Sequence, residues 1–260
     1  MKSIKTLLLI VAVTLTVAAC KKDKTIDDSP PTPFERVEHK ANFAHYHIGN
    51  YPLIISAPHG GASTGFDDGR ELILRNQATN SSQSSDFATE TDSRTITLAE
   101  LIDIEITKLT GSYPHLIYSN IKRDRVDLNR SIENGVPYDS GVPIPASLQV
   151  YNEYHQYLRN ATDKVAADFG CGLVIDVHGH SHSVQQVEIG YSLTMTELRF
   201  EDATLNNATY SNKSSIKSLA KLVSSTTTFA ELLRGDYSIG ELMSDRRLPL
   251  GKRHCPTSGI

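Results

Sequence analysis

The sequence predicts an α/β fold in which a mixed sheet is covered by helices. Two short apolar segments, in residues 52–61 and 173–182, are too short for buried helices and end in histidine and glycine, which is typical of interior strands. Longer segments with helical spacing of apolar residues alternate with them along the chain. The resulting order, β-α-β-α-β-β-α, indicates one sheet with helices packed on it.

The first twenty residues have the form of an export signal. Lys2 and Lys5 precede an apolar run at residues 7–19 that is short for a membrane span. The run ends in Val-Ala-Ala-Cys, which resembles the lipobox of bacterial lipoproteins, so we expect Cys20 to be lipidated. The protein is then a membrane-anchored lipoprotein of the bacterial cell envelope; an ordinary secretory signal is the alternative.

Residues 21–40 are rich in Lys, Asp, Ser and Pro, a composition that favours a flexible tether. The remaining part, residues 41–260, has a length suited to one domain. The net charge of -4 gives no indication of a nucleic-acid partner, because such a partner requires a basic face.

Within the domain, the predicted elements follow the periodicity of apolar residues. A long polar loop is expected over residues 62–90, and a Gly/Pro turn region over residues 135–145. The predicted strands are at 52–57, 115–119, 173–178 and 184–190, and the predicted helices are at 92–109, 146–168 and 215–233.

The strand-end histidines indicate a metal site. His59 and His178 each follow an apolar strand, and such strand ends are where open α/β sheets bind ligands. Two histidines so far apart in sequence suit a catalytic zinc site, which uses three protein ligands and leaves one position open. Asp92, at the start of the predicted helix, has two possible roles: the carboxylate that completes this site, or an N-cap of the helix.

Arginines and acidic residues alternate over residues 121–131. This pattern usually indicates a solvated face, but an Asn-Arg pair at a strand end can also hold a substrate carboxylate, because a guanidinium matches a carboxylate in two hydrogen bonds. The residues predicted for that substrate site are Arg125, Asn129 and Arg130.

Four motifs together resemble the N-formylglutamate amidohydrolase family. They are Ser-Ala-Pro-His-Gly-Gly at residues 56–61, Asp-x-x-Thr at 92–95, Arg-Val-Asp-Leu-Asn-Arg at 125–130 and Asp-Val-His-Gly-His at 176–180. The family is similar in fold to the zinc carboxypeptidases, which implies a three-layer α/β/α fold with a mixed, mostly parallel central sheet. The resemblance also implies that His59 and His178 bind Zn²⁺ and that Asn129 and Arg130 hold the substrate carboxylate.

The sequence departs from that pattern in two places. The acid expected three residues after the first histidine is Ala62, so Asp92 is the predicted third ligand. The tail at residues 246–260 does not match the Gly-Gly-Tyr-Asn ending of relatives, which is expected of a C-terminal truncation or a frameshift.

The function predicted from these features is zinc-dependent hydrolysis of an amide bond in a small, carboxylate-bearing substrate. Glu188 is predicted to take the proton of the attacking water, with His180 as a second catalytic residue. Two alternatives keep the same domain. One is a hydrolase of an envelope polymer, peptidoglycan or poly-γ-glutamate, and the other is a non-catalytic envelope lipoprotein that retains the fold.

Overall fold

The computed structural model describes residues 10–17, 34–75, 87–183 and 186–244. In the described residues four strands come first, strands and helices are mixed over residues 95–190, and six helices follow; the longest helix has 25 residues. The strands within the described residues are β1 (Ile10–Val17), β2 (Glu38–Ala41), β3 (Ala44–His47), β4 (Leu53–Ala57), β5 (His115–Ser119), β6 (Tyr138–Asp139), β7 (Val142–Pro143), β8 (Cys171–His178) and β9 (Glu188–Gly190).

The helices of the same residues differ widely in length. They are α1 (Thr95–Thr110), α2 (Ile132–Gly135), α3 (Pro145–Phe169), α4 (Met195–Leu198), α5 (Asp202–Leu205), α6 (Ala208–Lys213), α7 (Lys217–Leu222), α8 (Phe229–Arg234) and α9 (Ile239–Ser244). No helix of the described residues combines the length and apolar character needed to cross a membrane.

One mixed sheet has the strand order β2-β3-β5-β4-β8-β1-β9 in the described part of the chain. Its central strands β5, β4 and β8 are parallel, and the pairs β2–β3, β3–β5 and β8–β1 are antiparallel. The predicted α/β class with a mixed sheet is therefore confirmed. Parallel pairing dominates only the centre of the sheet, with one further parallel pair, β1–β9, at its edge.

Helices cover both faces of this sheet. Successive side chains of a strand point to opposite faces, and both faces of the central strands carry apolar side chains that pack against helices. Leu53, Ile55 and Ala57 of β4 pack into one core cluster, together with residues of α1 and α8. Ile54, between them, packs into the other cluster, which is built largely on α3. The sheet is thus the middle layer of three.

Several predicted elements are confirmed with small changes of boundary. The strands at 52–57, 115–119 and 173–178 correspond to β4, β5 and β8, and the helices at 92–109 and 146–168 correspond to α1 and α3. The predicted strand at 184–190 is shorter, because only Glu188–Gly190 pairs; residues 184 and 185 lie outside the described part. The single helix predicted at 215–233 is wrong: α7 ends at Leu222 and α8 begins at Phe229.

The N-terminal segments differ from expectation in two respects. Ile10–Val17, within the predicted signal, is a strand that pairs with β8 and β9. Strand β2 begins at Glu38, inside the segment predicted as tether. Cys20 lies outside the described residues, so its lipidation and the envelope location stay predictions from the sequence.

Candidate metal centre

Three parallel strands bring their carboxyl ends to one edge of the sheet. β4 lies between β5 and β8, and the chain leaves β4 through α1 on one face and reaches β8 through α3 on the other. Connections that diverge in this way leave a crevice at the strand ends. His59, just beyond β4, and His178, the last residue of β8, therefore lie close together, with their ring centroids 4.9 Å apart.

His59 is completely buried, and its two ring nitrogens have different environments. Nε2 lies 2.7 Å from Oδ1 of Asp127, to which it donates a hydrogen bond. In neutral histidine a donating Nε2 leaves Nδ1 with a free lone pair. Nδ1 is buried and has no hydrogen-bond partner among the described residues; it lies 3.5 Å from Oδ2 of Asp92. A buried acceptor without a partner is costly, and a metal ion at this point would satisfy it.

Two glycines allow the chain after His59 to approach its neighbours. A Cβ atom on Gly60 would lie 2.7 Å from Oγ1 of Thr95, at the start of α1. A Cβ atom on Gly61 would lie 2.1 Å from the carbonyl carbon of Asn120. Because these contacts are too short for any side chain, the glycines permit the close packing that positions His59.

Asp92 directs its carboxylate into the crevice and does not cap α1. Oδ2 accepts hydrogen bonds from Nδ1 of His178 and from the backbone N–H of Gly179, each at 3.1 Å. Helix α1 begins at Thr95, and its N-cap makes no side-chain hydrogen bond in the described residues. The backbone carbonyl of Asp92, rather than its carboxylate, accepts hydrogen bonds from the hydroxyl and the backbone N–H of Thr95. Of the two roles predicted for Asp92, the structure therefore favours the ligand position over the N-cap.

His178 lies between two carboxylates. Its Nε2 lies 2.8 Å from Oδ2 of Asp176, and its Nδ1 faces Asp92. Burial would lower the pKa of His178, but the charges and hydrogen bonds of Asp176 and Asp92 outweigh it and raise the pKa to about 9. Burial would likewise raise the pKa of Asp92, yet the hydrogen bonds from His178 and from the backbone N–H of Gly179, with His59 close by, hold it well below its usual value. The crevice is an environment that favours a cation.

The donor atoms fit a metal ion. His59, Asp92 and His178 each offer one ligand atom, and these atoms all lie within 4.8 Å of one another. Two imidazoles and one carboxylate are a donor set that zinc accepts, and three protein ligands leave a fourth position for water or substrate. The residues predicted as metal ligands are thus brought together, and the structure provides a group that could hold a metal ion.

A layer of charged groups supports the His59 side of the centre. Asp127 is completely buried and also accepts a hydrogen bond of 2.9 Å from Nε of Arg123. Burial would raise the pKa of Asp127, but the hydrogen bond from His59 and the charges of Arg123 and Arg75 outweigh it and lower the pKa. The guanidinium of Arg75, 3.5 Å from Asp127, also donates to the backbone carbonyls of Arg123 and Asn134. A carboxylate that orients a ligand histidine usually affects metal affinity almost as strongly as a ligand.

A second carboxylate supports His178. Asp176 accepts hydrogen bonds from Nε2 of His178 and from the hydroxyl of Ser56 on β4. Burial would raise the pKa of Asp176, but the charge and hydrogen bond of His178 outweigh it. Nε2 of each ligand histidine is therefore held by an aspartate, and Nδ1 of each faces Asp92.

The predicted substrate-binding residues are placed at different distances from the centre. Asn129 is exposed, and its side-chain Nδ2 lies 3.1 Å from Nε2 of His178. Nη1 of Arg130 donates to the backbone carbonyl of Asn129 at 2.9 Å. Arg125 instead lies 3.6 Å from Oδ1 of Asp124. The arginine that approaches the ligands is Arg123, whose Nη1 is 3.9 Å from Oδ1 of Asp92.

Glu188 and His180, the predicted catalytic pair, belong to a separate group. Glu188 Oε1 lies 2.8 Å from Nδ1 of His182 and 3.7 Å from Nε2 of His180. Glu188 is on β9, and β1 lies between β9 and β8, so two strand spacings, about 10 Å, separate its backbone from that of His178. The contacts of Glu188 in the described residues are thus with these histidines and not with Asp92 or His178.

The fold and the site define an α/β chain in which two histidines and one aspartate, at the carboxyl ends of the central parallel strands, form a group that could hold a metal ion. No protein-family model, no curated protein and no solved structure matches the chain.

Proposed function

We propose that the chain is a zinc-dependent hydrolase that cleaves an amide bond in a carboxylate-bearing substrate. The observation that carries the proposal is the convergence of His59, Asp92 and His178, with the unpartnered Nδ1 of His59 directed at the same point. A purely structural cluster has no need of a buried acceptor without a hydrogen bond.

Bound zinc would polarise the scissile carbonyl and lower the pKa of a bound water toward about 7. The protein residues fix the ligand set. Asp127 and Asp176 bind Nε2 of the two histidines, which directs both Nδ1 atoms toward Asp92. Because Asp127 is completely buried and Asp176 is half-buried, the imidazoles are held in one orientation before any metal arrives.

The substrate carboxylate is assigned to Asn129 and Arg130. Asn129 is exposed beside His178, so an acidic substrate held there would have its amide near the metal position. A guanidinium and an amide offer donors that suit a carboxylate. The resemblance to N-formylglutamate amidohydrolases, with their zinc-carboxypeptidase-like fold, supports the same substrate class.

The sequence predicts Glu188 as the acceptor of the water proton. In the structure its carboxylate lies 2.8 Å from Nδ1 of His182. Its role stays a prediction that the Glu188→Gln variant would test through kcat.

The test is zinc content and turnover of the purified chain on N-acylglutamates and on analogues whose carboxylates are converted to amides. His59→Ala and His178→Ala should each lose zinc and turnover together. The matched control is His39→Ala, which removes an exposed histidine outside the metal centre and should change neither. Turnover that persists in zinc-free protein would contradict the proposal.

The same panel separates the alternatives. Hydrolysis of γ-glutamyl polymers or peptidoglycan, without hydrolysis of small acyl amides, would assign the metal centre to an envelope polymer. Bound zinc without turnover of any substrate would indicate a non-catalytic envelope protein that retains the fold.

A further inference from the structure

A second group of possible metal ligands lies on the loop after β8 and at the start of β9. His180, His182 and Glu188 each offer one ligand atom, and these atoms all lie within 4.8 Å of one another. The two imidazole rings lie with their centroids 4.4 Å apart, and Glu188 faces both of them. The group shares no residue with the centre formed by His59, Asp92 and His178.

The exposure of the three side chains differs in a way that suits an exchangeable ion. The side chain of His180 is 4% exposed and that of Glu188 is 30% exposed, whereas that of His182 is 62% exposed. The side chain of His180 is therefore held by its surroundings, whereas that of His182 is exposed to solvent. An ion can reach or leave His182 without unfolding of the core. Two imidazoles and a carboxylate suit zinc and its transition-metal neighbours better than Mg²⁺ or Ca²⁺, which prefer oxygen ligands.

We infer that His180, His182 and Glu188 form a second, exchangeable site for a divalent transition metal ion such as Zn²⁺. Occupation of this site ties the loop after β8 to β9. Because the loop begins directly after His178, the ion would hold the chain on one side of the first metal centre. The inference goes beyond the proposed hydrolase function and does not depend on it.

The hydrogen bonds of His180 predict which of the two sites is weaker. The backbone N–H of His182 donates to Nδ1 of His180 at 3.0 Å, so in neutral histidine Nε2 carries the proton; it donates to the backbone carbonyl of Gln186 at 3.3 Å and lies 3.7 Å from Glu188. When a metal ion binds Nε2, the ring proton moves to Nδ1, which can then no longer accept the hydrogen bond from the backbone N–H of His182. In the first centre, Nδ1 of His59 has no hydrogen-bond partner among the described residues, and the bond from Nδ1 of His178 to Asp92 joins two groups that would both bind the same ion, so the first centre should fill first.

The experiment is a zinc titration of the full chain, expressed without a histidine tag, followed by metal analysis at a series of buffered free-zinc concentrations. The wild-type chain should bind two zinc ions with separable affinities. His182→Ala should bind one ion, with the affinity of the tighter site unchanged within about threefold. His59→Ala should also bind one ion, but with the affinity of the weaker site.

Two further variants complete the design. Glu188→Gln keeps the size of the side chain and removes its charge. It should lower the zinc affinity of the second site at least tenfold. His39→Ala, an exposed histidine outside both groups, should still bind two ions. Thermal unfolding of each metal-free variant identifies any that fails to fold.

The outcomes separate this inference from the proposed function. A single zinc ion in the wild type at saturation that His182→Ala still binds overturns it, and so do two ions retained in both His182→Ala and Glu188→Gln. Two ions in a chain that hydrolyses no amide substrate support the second site and count only against the hydrolase.

Discussion

Replacement of Asp92 by Asn tests whether this residue is a ligand. Oδ2 of Asp92 lies 3.1 Å from Nδ1 of His178 and 3.5 Å from Nδ1 of His59, so the change removes a negative charge from the point where the ligand atoms meet. A contact to a charged group contributes about 1.5–3 kcal/mol, which corresponds to a loss of roughly 10- to 100-fold in zinc affinity. Asn has nearly the same size, and the backbone carbonyl that accepts from Thr95 is unchanged.

The assay is competition for zinc between the metal-free chain and a chromophoric chelator. Asp103→Asn is the matched control, because Asp103 is a buried aspartate of α1 that pairs with Arg36. The control should lower thermal stability and leave zinc affinity unchanged. A zinc affinity of Asp92→Asn within twofold of the wild type would refute the assignment of Asp92 as a ligand.

Three other predictions follow from the same contacts. Asp127→Asn should lower the affinity for zinc roughly 10- to 100-fold and lower the melting temperature, because it removes the carboxylate that orients a ligand imidazole and pairs with Arg123. A zinc affinity equal to that of the wild type would contradict this. In the metal-free chain, His178 has a pKa raised from 6.5 to about 9, so its stabilisation is fully present below pH 6.5 and is lost as the pH rises through 9. The free energy of unfolding should fall over that interval by about 3 kcal/mol, and the fall should be absent in His178→Gln. Arg130→Lys should lower kcat/KM for a carboxylate-bearing amide roughly 10- to 100-fold relative to its neutral analogue, whereas Arg70→Lys, at an exposed position, should leave that ratio unchanged.

The central strands and the meeting of His59 and His178 at their ends could be predicted because their signals are local. A short apolar run followed by histidine and glycine indicates a buried strand with a side chain at its end, and β4 and β8 follow this pattern. Periodicity fails where the elements are short or polar. The strand pair β2 and β3 was missed because its segment is polar and rich in histidine, and α4, α5 and α6 have only four to six residues each.

The break in the predicted helix at 215–233 had a signal in the sequence. Thr228 and Glu231 form a capping box, in which the side chain of each binds the backbone N–H of the other. A threonine followed three residues later by glutamate indicates a new helix start. The apolar residues on both sides of this start keep helical spacing, and that spacing alone predicts one continuous helix.

The supporting carboxylates are harder to predict. Asp176 could have been found, because residues two apart on a strand share a face, so an aspartate at this position lies beside His178. Asp127 and His59 are separated by 68 residues, and no local pattern joins them. Arg123 is equally hard to predict, because the alternating charges over residues 121–131 do not show which arginine binds the buried Asp127.

The most direct test of the first metal centre is a crystal of the full chain grown with one equivalent of zinc and measured on both sides of the zinc absorption edge. The structure predicts one anomalous peak bonded to Nδ1 of His59, Nδ1 of His178 and a carboxylate oxygen of Asp92, at zinc–ligand distances of about 2.0–2.2 Å. Zinc bound elsewhere, with these three side chains still hydrogen-bonded to one another, would contradict the metal centre.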